Sequence, residues 1–473
     1  MNWEIALPEI VLSVLGMMIL VYGVLRKSEQ TQVVTMLVLG AFLLTGFLTV
    51  TRVGGIGFHG QFVVDPFAVL IKALVLVSSA FTLMLSLDFN RRQGIARFEF
   101  PVLVLFATVG MMGMASASNL ITLYLSLELL SLCSYVLAAF ARDDLRSAEA
   151  GLKYFVLGAL ASGLLLYGIS LVYGFSGTMD YAGVARVLMA SGGASAGMVV
   201  GVVFVIVGLA FKVAAAPFHM WTPDVYEGAP TPITTFLATA SKVAAMGLFL
   251  RTMAEPFGAV LGSWRLILEI ISIFSMILGA LAAIGQTNIK RLMAYSSIGH
   301  MGYALIGLAV GGPVGVRGVL VYLIVYVFMA AGTFGCILAM RRRGIALEQI
   351  EDLSGLARTD PALALAFAVF MFSMAGIPPL SGFFAKLYVF LAAVDAQMWT
   401  LAVIGVLTSV VSAFYYIRIV KVMYFDTPAP AFDRKPMGAA FVATVTGLYT
   451  LLFFLFPGPF VAAADSAAAA LFG

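Results

Sequence analysis

The sequence predicts an all-α polytopic membrane protein with about fourteen transmembrane helices, and three observations carry that prediction. Of its 473 residues, 62% are hydrophobic and only 11% are charged, with a mean hydropathy of +1.06. A water-soluble chain of this length needs far more surface charge, so lipid is the solvent for most of it. The apolar residues form long unbroken runs, not the short alternating segments of an outer-membrane barrel. Glycine, with 47 residues, recurs in the middle of those runs, as it does where membrane helices pack closely.

Crossing the hydrocarbon core takes ~20 apolar residues as a helix. Such runs lie at 4–25, 31–51, 66–88, 98–117, 119–141, 150–175, 197–228, 230–253, 263–286, 292–312, 317–340, 361–395, 398–424 and 437–458. The hydrophilic stretches between them are short connectors, so residues 1–473 read as a single membrane domain. Within it we expect a three-helix N-terminal region (1–97), a first five-helix unit (98–253), a second (263–424) and a C-terminal helix (437–458). The first run has no basic segment before it and no small-residue cleavage site after it. It reads as a retained span, not a signal peptide.

Charge sets the expected orientation. Of the 27 Lys and Arg, 17 lie on loops that follow odd-numbered spans, and five (Arg52, Arg186, Arg251, Arg265 and Arg317) lie on the other loops. The positive-inside rule makes the odd-to-even loops cytoplasmic and places both termini outside. The remaining five cations, Lys72, Lys153, Lys212, Lys242 and Lys386, all fall inside spans.

Two runs, 197–228 and 361–395, are too long for one straight helix. Each holds a proline near its middle, which removes a backbone donor and clashes with the preceding turn. The segments Phe211-Lys212-Val213-Ala214-Ala215-Ala216-Pro217 and Phe372-Ser373-Met374-Ala375-Gly376-Ile377-Pro378 align with Phe, Ala and Pro in register. One span runs inward and the other outward. This predicts two inverted five-helix repeats, spans 4–8 and 9–13, with spans 7 and 12 broken. Function in such architectures gathers at the breaks.

A charged side chain at the bilayer centre costs at least ~2.5–3.5 kcal/mol, so each must have a partner, a cavity or a neutral form. Burial makes a lysine easier to deprotonate and a nearby carboxylate reverses this, which suits lysine to proton relay. Glu128 in span 5 with Lys212 or Lys153 is the pair expected to work in this way. Glu128, Lys212, Lys242 and Lys386 sit too deep to snorkel, and the relay reading outweighs a structural ion pair for each. Lys153 reads either as snorkelling or as relay, and Lys72 reads as snorkelling. His219, beside the first break, and His300, on span 10, are candidate relays with an inert reading equally open. His59 lies in a loop and carries no expected role.

Three scattered histidines make no metal site. Cys133 and Cys336 sit in separate apolar spans and read as small core residues. Gly55-x-Gly57-x-x-Gly60 matches a dinucleotide-binding pattern but lies in a loop between two spans, with no βαβ unit around it, and is expected to be a decoy. No residue is assigned to a cofactor or a metal.

Two stretches carry a resemblance. Lys212-Val-Ala-Ala-Ala-Pro-Phe-His-Met-Trp-Thr-Pro-Asp-Val-Tyr-Glu-Gly-Ala-Pro-Thr-Pro232, running on to Ala240-Ser241-Lys242, resembles the signature of the antiporter-like, proton-channel subunits of respiratory complex I, the bacterial proton-translocating NADH:quinone oxidoreductase. So does Gln286-Thr-Asn-Ile-Lys-Arg-Leu-Met-Ala-Tyr-Ser-Ser-Ile-Gly-His-Met-Gly-Tyr303. The likeness covers essentially the whole chain. Thr222-Pro223-Asp224-Val225-Tyr226, with lysine at positions 242 and 386, is similar to the N branch of that family.

The resemblance implies roles. Glu128 and Lys212 would form a gating pair, Lys153 would lie on the intake side, Lys242 would be the central relay and Lys386 the exit residue. NADH, FMN, iron–sulfur clusters and quinone would bind partner subunits, and quinone reduction there would drive this chain. Its partners would be the other membrane subunits of the complex, antiporter-like ones included, and the lipid of the bacterial inner membrane. No nucleic-acid partner is expected. The alternative is a subunit of the related multi-subunit cation/proton antiporters, without redox coupling.

Overall fold

The computed structural model describes residues 2–26, 29–52 and 54–472. Lys27, one of the basic loop residues, and the terminal Met1 and Gly473 lie outside the described residues. Among the described residues, eleven helices are long and apolar enough to cross a membrane: Trp3–Leu25, Thr31–Thr51, Pro66–Arg92, Glu99–Ser116, Leu120–Ala138, Leu145–Ser176, Ala196–Val213, Thr231–Ala254, Gly258–Ile284, Gly312–Ala339 and Trp399–Phe425. The other three expected spans take other forms. One is the polar-studded helix Ile289–Val310, one is interrupted between Ala375 and Ser381, and one is the short helix Met437–Leu452.

Side-chain caps start many of these helices. Asp65 accepts the amide of Ala68 at 2.7 Å, Asn119 that of Ile121 at 2.9 Å, and Asp360 that of Leu363 at 3.1 Å. Each supplies a partner that the first turn lacks, which fixes where the chain enters the bundle. Glycine lets the helices approach. A Cβ on Gly279 would lie 2.6 Å from the amide of Gly299, so Leu261–Ile284 and Ile289–Val310 pack backbone to backbone there.

Two helices lie deepest. Thr231–Ala254 and Gly312–Ala339 are buried along nearly their whole length, with the other helices packed around them. The first kinks at Thr239 (φ −112°, ψ −82°), whose hydroxyl donates to the Thr235 carbonyl at 2.7 Å. The apolar run 230–253 predicts a single span with no mark of this kink. No proline or glycine marks the site, and a threonine bonded back onto its own helix is a weak local signal.

Other expectations are corrected. The helix Tyr181–Ala190 falls in a stretch taken as loop, and Gly458–Ala470 forms a further helix beyond the last expected span, which itself ends at Leu452. Arg251, counted among the loop cations, lies inside a helix and is fully buried. It pairs with Asp65 at 2.8 Å and Glu255 at 2.5 Å. The Gly55–Gly57 segment of the apparent nucleotide motif is a strand in an antiparallel hairpin with Phe62–Val64, and Phe58, His59 and Gly60 turn between them at positive φ.

Candidate functional site

The site is built at the two breaks. The helix Ala196–Val213 ends where Ala214 turns left-handed (φ 60°) and its amide reaches the Phe211 carbonyl at 3.0 Å. The chain resumes helix at Trp221. The helix Pro361–Ala375 ends in the same way at Gly376 (φ 87°), whose amide reaches the Ser373 carbonyl at 2.9 Å, and helix resumes at Ser381. The next amides repeat the match: Ala215 donates to Ala210 and Ile377 to Phe372. The structural register therefore pairs Ala214 with Gly376 and Val213 with Ala375, one residue away from the register of the sequence alignment. Matching prolines misaligned it because Pro378 and Pro379 are adjacent.

The same register brings out the lysines. A broken helix leaves carbonyls without an intrahelical donor, and in hydrocarbon each needs one. Lys242, fully buried, donates to the Val213 carbonyl at 3.0 Å. Lys386, also buried, donates to the Ala375 carbonyl at 3.0 Å and to the Ser409 hydroxyl at 2.8 Å. Two lysines from different helices thus sit on equivalent carbonyls of the two breaks. Gly376 makes room for the second: a Cβ there would come within 3.0 Å of the Lys386 stem. Ser275 adds a polar partner at the first break, accepting the Ala216 amide at 2.8 Å.

Lys212, the last lysine before the first break, makes a hydrogen bond to Ser131 at 2.5 Å. Its ammonium lies 5.4 Å from the Tyr135 ring centroid and 5.9 Å from that of Tyr154, and both faces favour a cation. Ser131 is one turn past Glu128 on Leu120–Ala138. Glu128 itself bonds the Ser162 hydroxyl, which also contacts the Tyr124 hydroxyl at 3.3 Å. Glu128 and Lys212, the expected pair, make no direct ion pair among the described residues: Lys212 is bonded to Ser131 and Glu128 to Ser162.

His300 is buried between two phenols. Its Nδ1 lies 2.6 Å from the Tyr322 hydroxyl and its Nε2 3.1 Å from that of Tyr416, which continues to Ser296 at 2.5 Å. The Tyr303 ring packs edge-on against the imidazole at 6.2 Å and holds the Lys386 ammonium 5.0 Å from its own centroid. His300 therefore joins the surroundings of Lys386. His219 does not join Lys212 or the other lysines; it lies half-buried in the turn of the first break, with Nδ1 unpartnered among the described residues.

Lys153 is corrected too. Its ammonium is part-exposed and bridges Glu149 and Asp224, each at 2.8 Å, rather than Glu128. From Asp224 an ionic network runs through Arg291 (2.7 Å) to Glu227 (3.0 Å) and Arg146 (2.9 Å), while Lys290 pairs with Glu348 at 3.1 Å. It borders a cavity of about 350 Å³ lined by Arg146, Glu227, Lys290 and Glu348. Burial works to raise the Glu348 carboxyl, but Lys290, Asn288 and Arg146 outweigh it and hold the group below the usual carboxylate range. Lys72 does not snorkel: it is 1% exposed and pairs with Glu9 at 2.6 Å.

Sequence reasoning found the lysines and missed what holds them. Ser131, Ser409, Tyr322 and Tyr416 carried no distinguishing signal among many hydroxyls in apolar runs. Asp224 stood within the motif quoted for the resemblance, yet nothing local marked it as the partner of Lys153. Among the described residues, no cluster of three His, Cys, Asp or Glu is placed to hold a metal.

A helical membrane bundle with two broken helices is the fold of the antiporter-like class of membrane subunits. The family described as NADH:quinone oxidoreductase/Mrp antiporter, TM matches residues 117–412. NADH-quinone oxidoreductase subunit N of Granulibacter bethesdensis is 64% identical over 476 residues, covering 100% of both chains. That of Rhodospirillum rubrum is 57% identical over 98% of this chain and 97% of its own. A chain of respiratory complex I from Thermus thermophilus superposes with a TM-score of 0.82 at 33% identity, covering 97% of this chain and 99% of that one. A chain of the Mrp complex from Dietzia reaches 0.88 at 24% identity, over 100% and 98%, a likeness of fold alone. The chain belongs to the NADH-quinone oxidoreductase subunit N family, the antiporter-like, proton-translocating membrane subunits of complex I. Its partners are other subunits of that complex.

Proposed function

We propose that this chain carries protons by passing them between Glu128, Lys212, Lys242, the His300 surroundings and Lys386, without redox chemistry of its own. Lys153 stands at the intake side, beside the charged cavity, and Lys386 at the exit. His219 is left with the weaker claim. The observation that carries the reading is the shared placement of Lys242 and Lys386 on the free carbonyls Val213 and Ala375. A carbonyl dipole stabilises the ammonium form of lysine more than the neutral amine, so each break favours the protonated lysine while it is seated there and favours it less when the lysine turns away.

NADH, FMN, iron–sulfur clusters and quinone belong, in this reading, to partner subunits, and quinone reduction there drives the lysines between their two states. The neighbours include further antiporter-like subunits, the surrounding solvent is inner-membrane lipid, and both termini face the periplasm. Two inverted repeats, 98–253 and 263–424, follow the N-terminal region 1–97 and precede the helix 437–458. The test is to purify the complex through this chain, place it in vesicles and follow NADH oxidation together with proton uptake. The reading requires both to co-purify. NADH oxidation without proton uptake would remove the relay.

A further inference from the structure

Lys72 is a buried lysine that the relay leaves unused, and its partner Glu9 is buried too. The Lys72 and Glu9 side chains are 1% and 9% exposed, and their ammonium and carboxylate groups are 2.6 Å apart. Beyond Glu9, the Lys72 ammonium faces the Phe62 ring at 4.9 Å. The second carboxylate oxygen of Glu9 has no hydrogen-bond partner among the described residues. A buried ion pair offsets its desolvation only when further hydrogen bonds satisfy the remaining lone pairs. Arg251, at the same end of the bundle, meets that condition. It grips both oxygens of Asp65 (2.8 and 2.9 Å), Glu255 (2.5 Å) and the Ala115 carbonyl (3.2 Å). Glu9–Lys72 does not meet it, so it is a poor fastening between two helices.

The helix Pro66–Arg92 carries more than this pair. Ser79, Ser86 and Asn90 follow Lys72 at intervals of seven, seven and four residues, which keeps them on one face. All are buried to 2% exposure or less. The Ser79 hydroxyl accepts from Thr108 at 2.9 Å, and the Asn90 amide has neither donor nor acceptor among the described residues. From Lys72 to Asn90 the helix rises ~27 Å, close to the thickness of the hydrocarbon core. Next to Asn90, Phe89 and Gln93 line the charged cavity of Arg146, Lys290 and Glu348. At the other end, a cavity of about 480 Å³ reaches Ile5, one turn before Glu9. Polar groups thus line the helix from one aqueous cavity to within a turn of the other.

We propose that Glu9 and Lys72 form a second proton-exchanging site, serving a route along Pro66–Arg92 that is separate from the Lys212–Lys242–Lys386 file. The Lys72 ammonium passes its proton to the Glu9 carboxylate; Glu9 releases it towards the cavity at Ile5, and the neutral Lys72 amine takes up a new proton from the Asn90 side, which restores the ion pair. The proposal rests on the proton-translocating function of the family. It is tested in the intact complex, in vesicles, with Lys72→Arg and the double variant Glu9→Leu/Lys72→Met. Arginine keeps the charge and cannot release its proton, and the double variant replaces the pair by apolar side chains. Both should assemble and oxidise NADH, with proton uptake per NADH lowered by the share this route carries and the uptake through the Lys212–Lys242–Lys386 file retained. Full uptake in either assembled variant would overturn the route and make the pair structural. Failure of both to assemble would do the same. A wild-type complex that moved no protons would instead sink the functional reading beneath it.

Discussion

Lys242 donates to the Val213 carbonyl at 3.0 Å across the first helix break, and Lys386 repeats the contact on Ala375 at the second. Each lysine therefore stabilises its break, and in the proposed relay it also carries the proton. A carbonyl dipole stabilises the ammonium more than the neutral amine, so a lysine that loses its proton while seated there is held by a weaker, neutral hydrogen bond. That links the charge state to the geometry of the break.

Lys242→Ala should lower the thermal stability of the complex, because the Val213 carbonyl is left without a donor, and should also remove the proton uptake that runs through the lysine file. Lys242→Arg should restore much of the stability and none of the uptake. Thermal melting and vesicle uptake, measured on the same preparations, separate the two effects. Uptake rescued by arginine would make Lys242 purely structural.

Glu128→Gln and Ser131→Ala address the other side of the first break. Glutamine keeps the shape and the bond to Ser162 while removing the charge. Alanine removes the one hydroxyl bonded to Lys212. Both should leave complex content near wild type and slow proton uptake severalfold, since each removes what holds the Lys212 proton. Wild-type uptake with Gln at 128 would show that this carboxylate only packs.

The lysines were legible in the sequence and their partners were not. Lys212, Lys242 and Lys386 stand out because a charge in an apolar run is expensive wherever the helix packs. Val213, Ala375 and Ser131 have no such mark, since they matter only through positions that tertiary packing creates. Lys72 was misread for the same reason. Its distance from the end of the span permitted snorkelling, and Glu9, sixty-three positions earlier in the chain, was invisible to a local reading. The breaks were placed correctly by proline, but adjacent prolines hid the one-residue register shift.

Glu348 gives a pH test. Lys290, with Asn288 and Arg146, holds its carboxyl below the usual range against the effect of burial. A depressed folded value adds stability that is present above the unfolded carboxylate value and lost as pH falls through the folded one. Melting should therefore shift downward more steeply on acidification in wild type than in Glu348→Gln. Parallel pH profiles would show that the network contributes nothing.

The charge asymmetry of 17 against five predicts termini outside the cytoplasm. A periplasm-dependent reporter fused after Gly473 should be active, and cytoplasmic activity would reverse the topology.

The central claim, that buried lysines at the breaks pass protons, is tested most directly at Lys386. Arginine preserves the charge and can still donate to the Ala375 carbonyl and Ser409, but its guanidinium stays protonated under physiological conditions. The measurement is NADH-driven proton uptake in membrane vesicles for Lys386→Arg against wild type, normalised to assembled complex. The relay predicts normal assembly with the uptake carried by the lysine file lost, so that uptake per NADH falls below wild type. Full uptake in the arginine variant would contradict it.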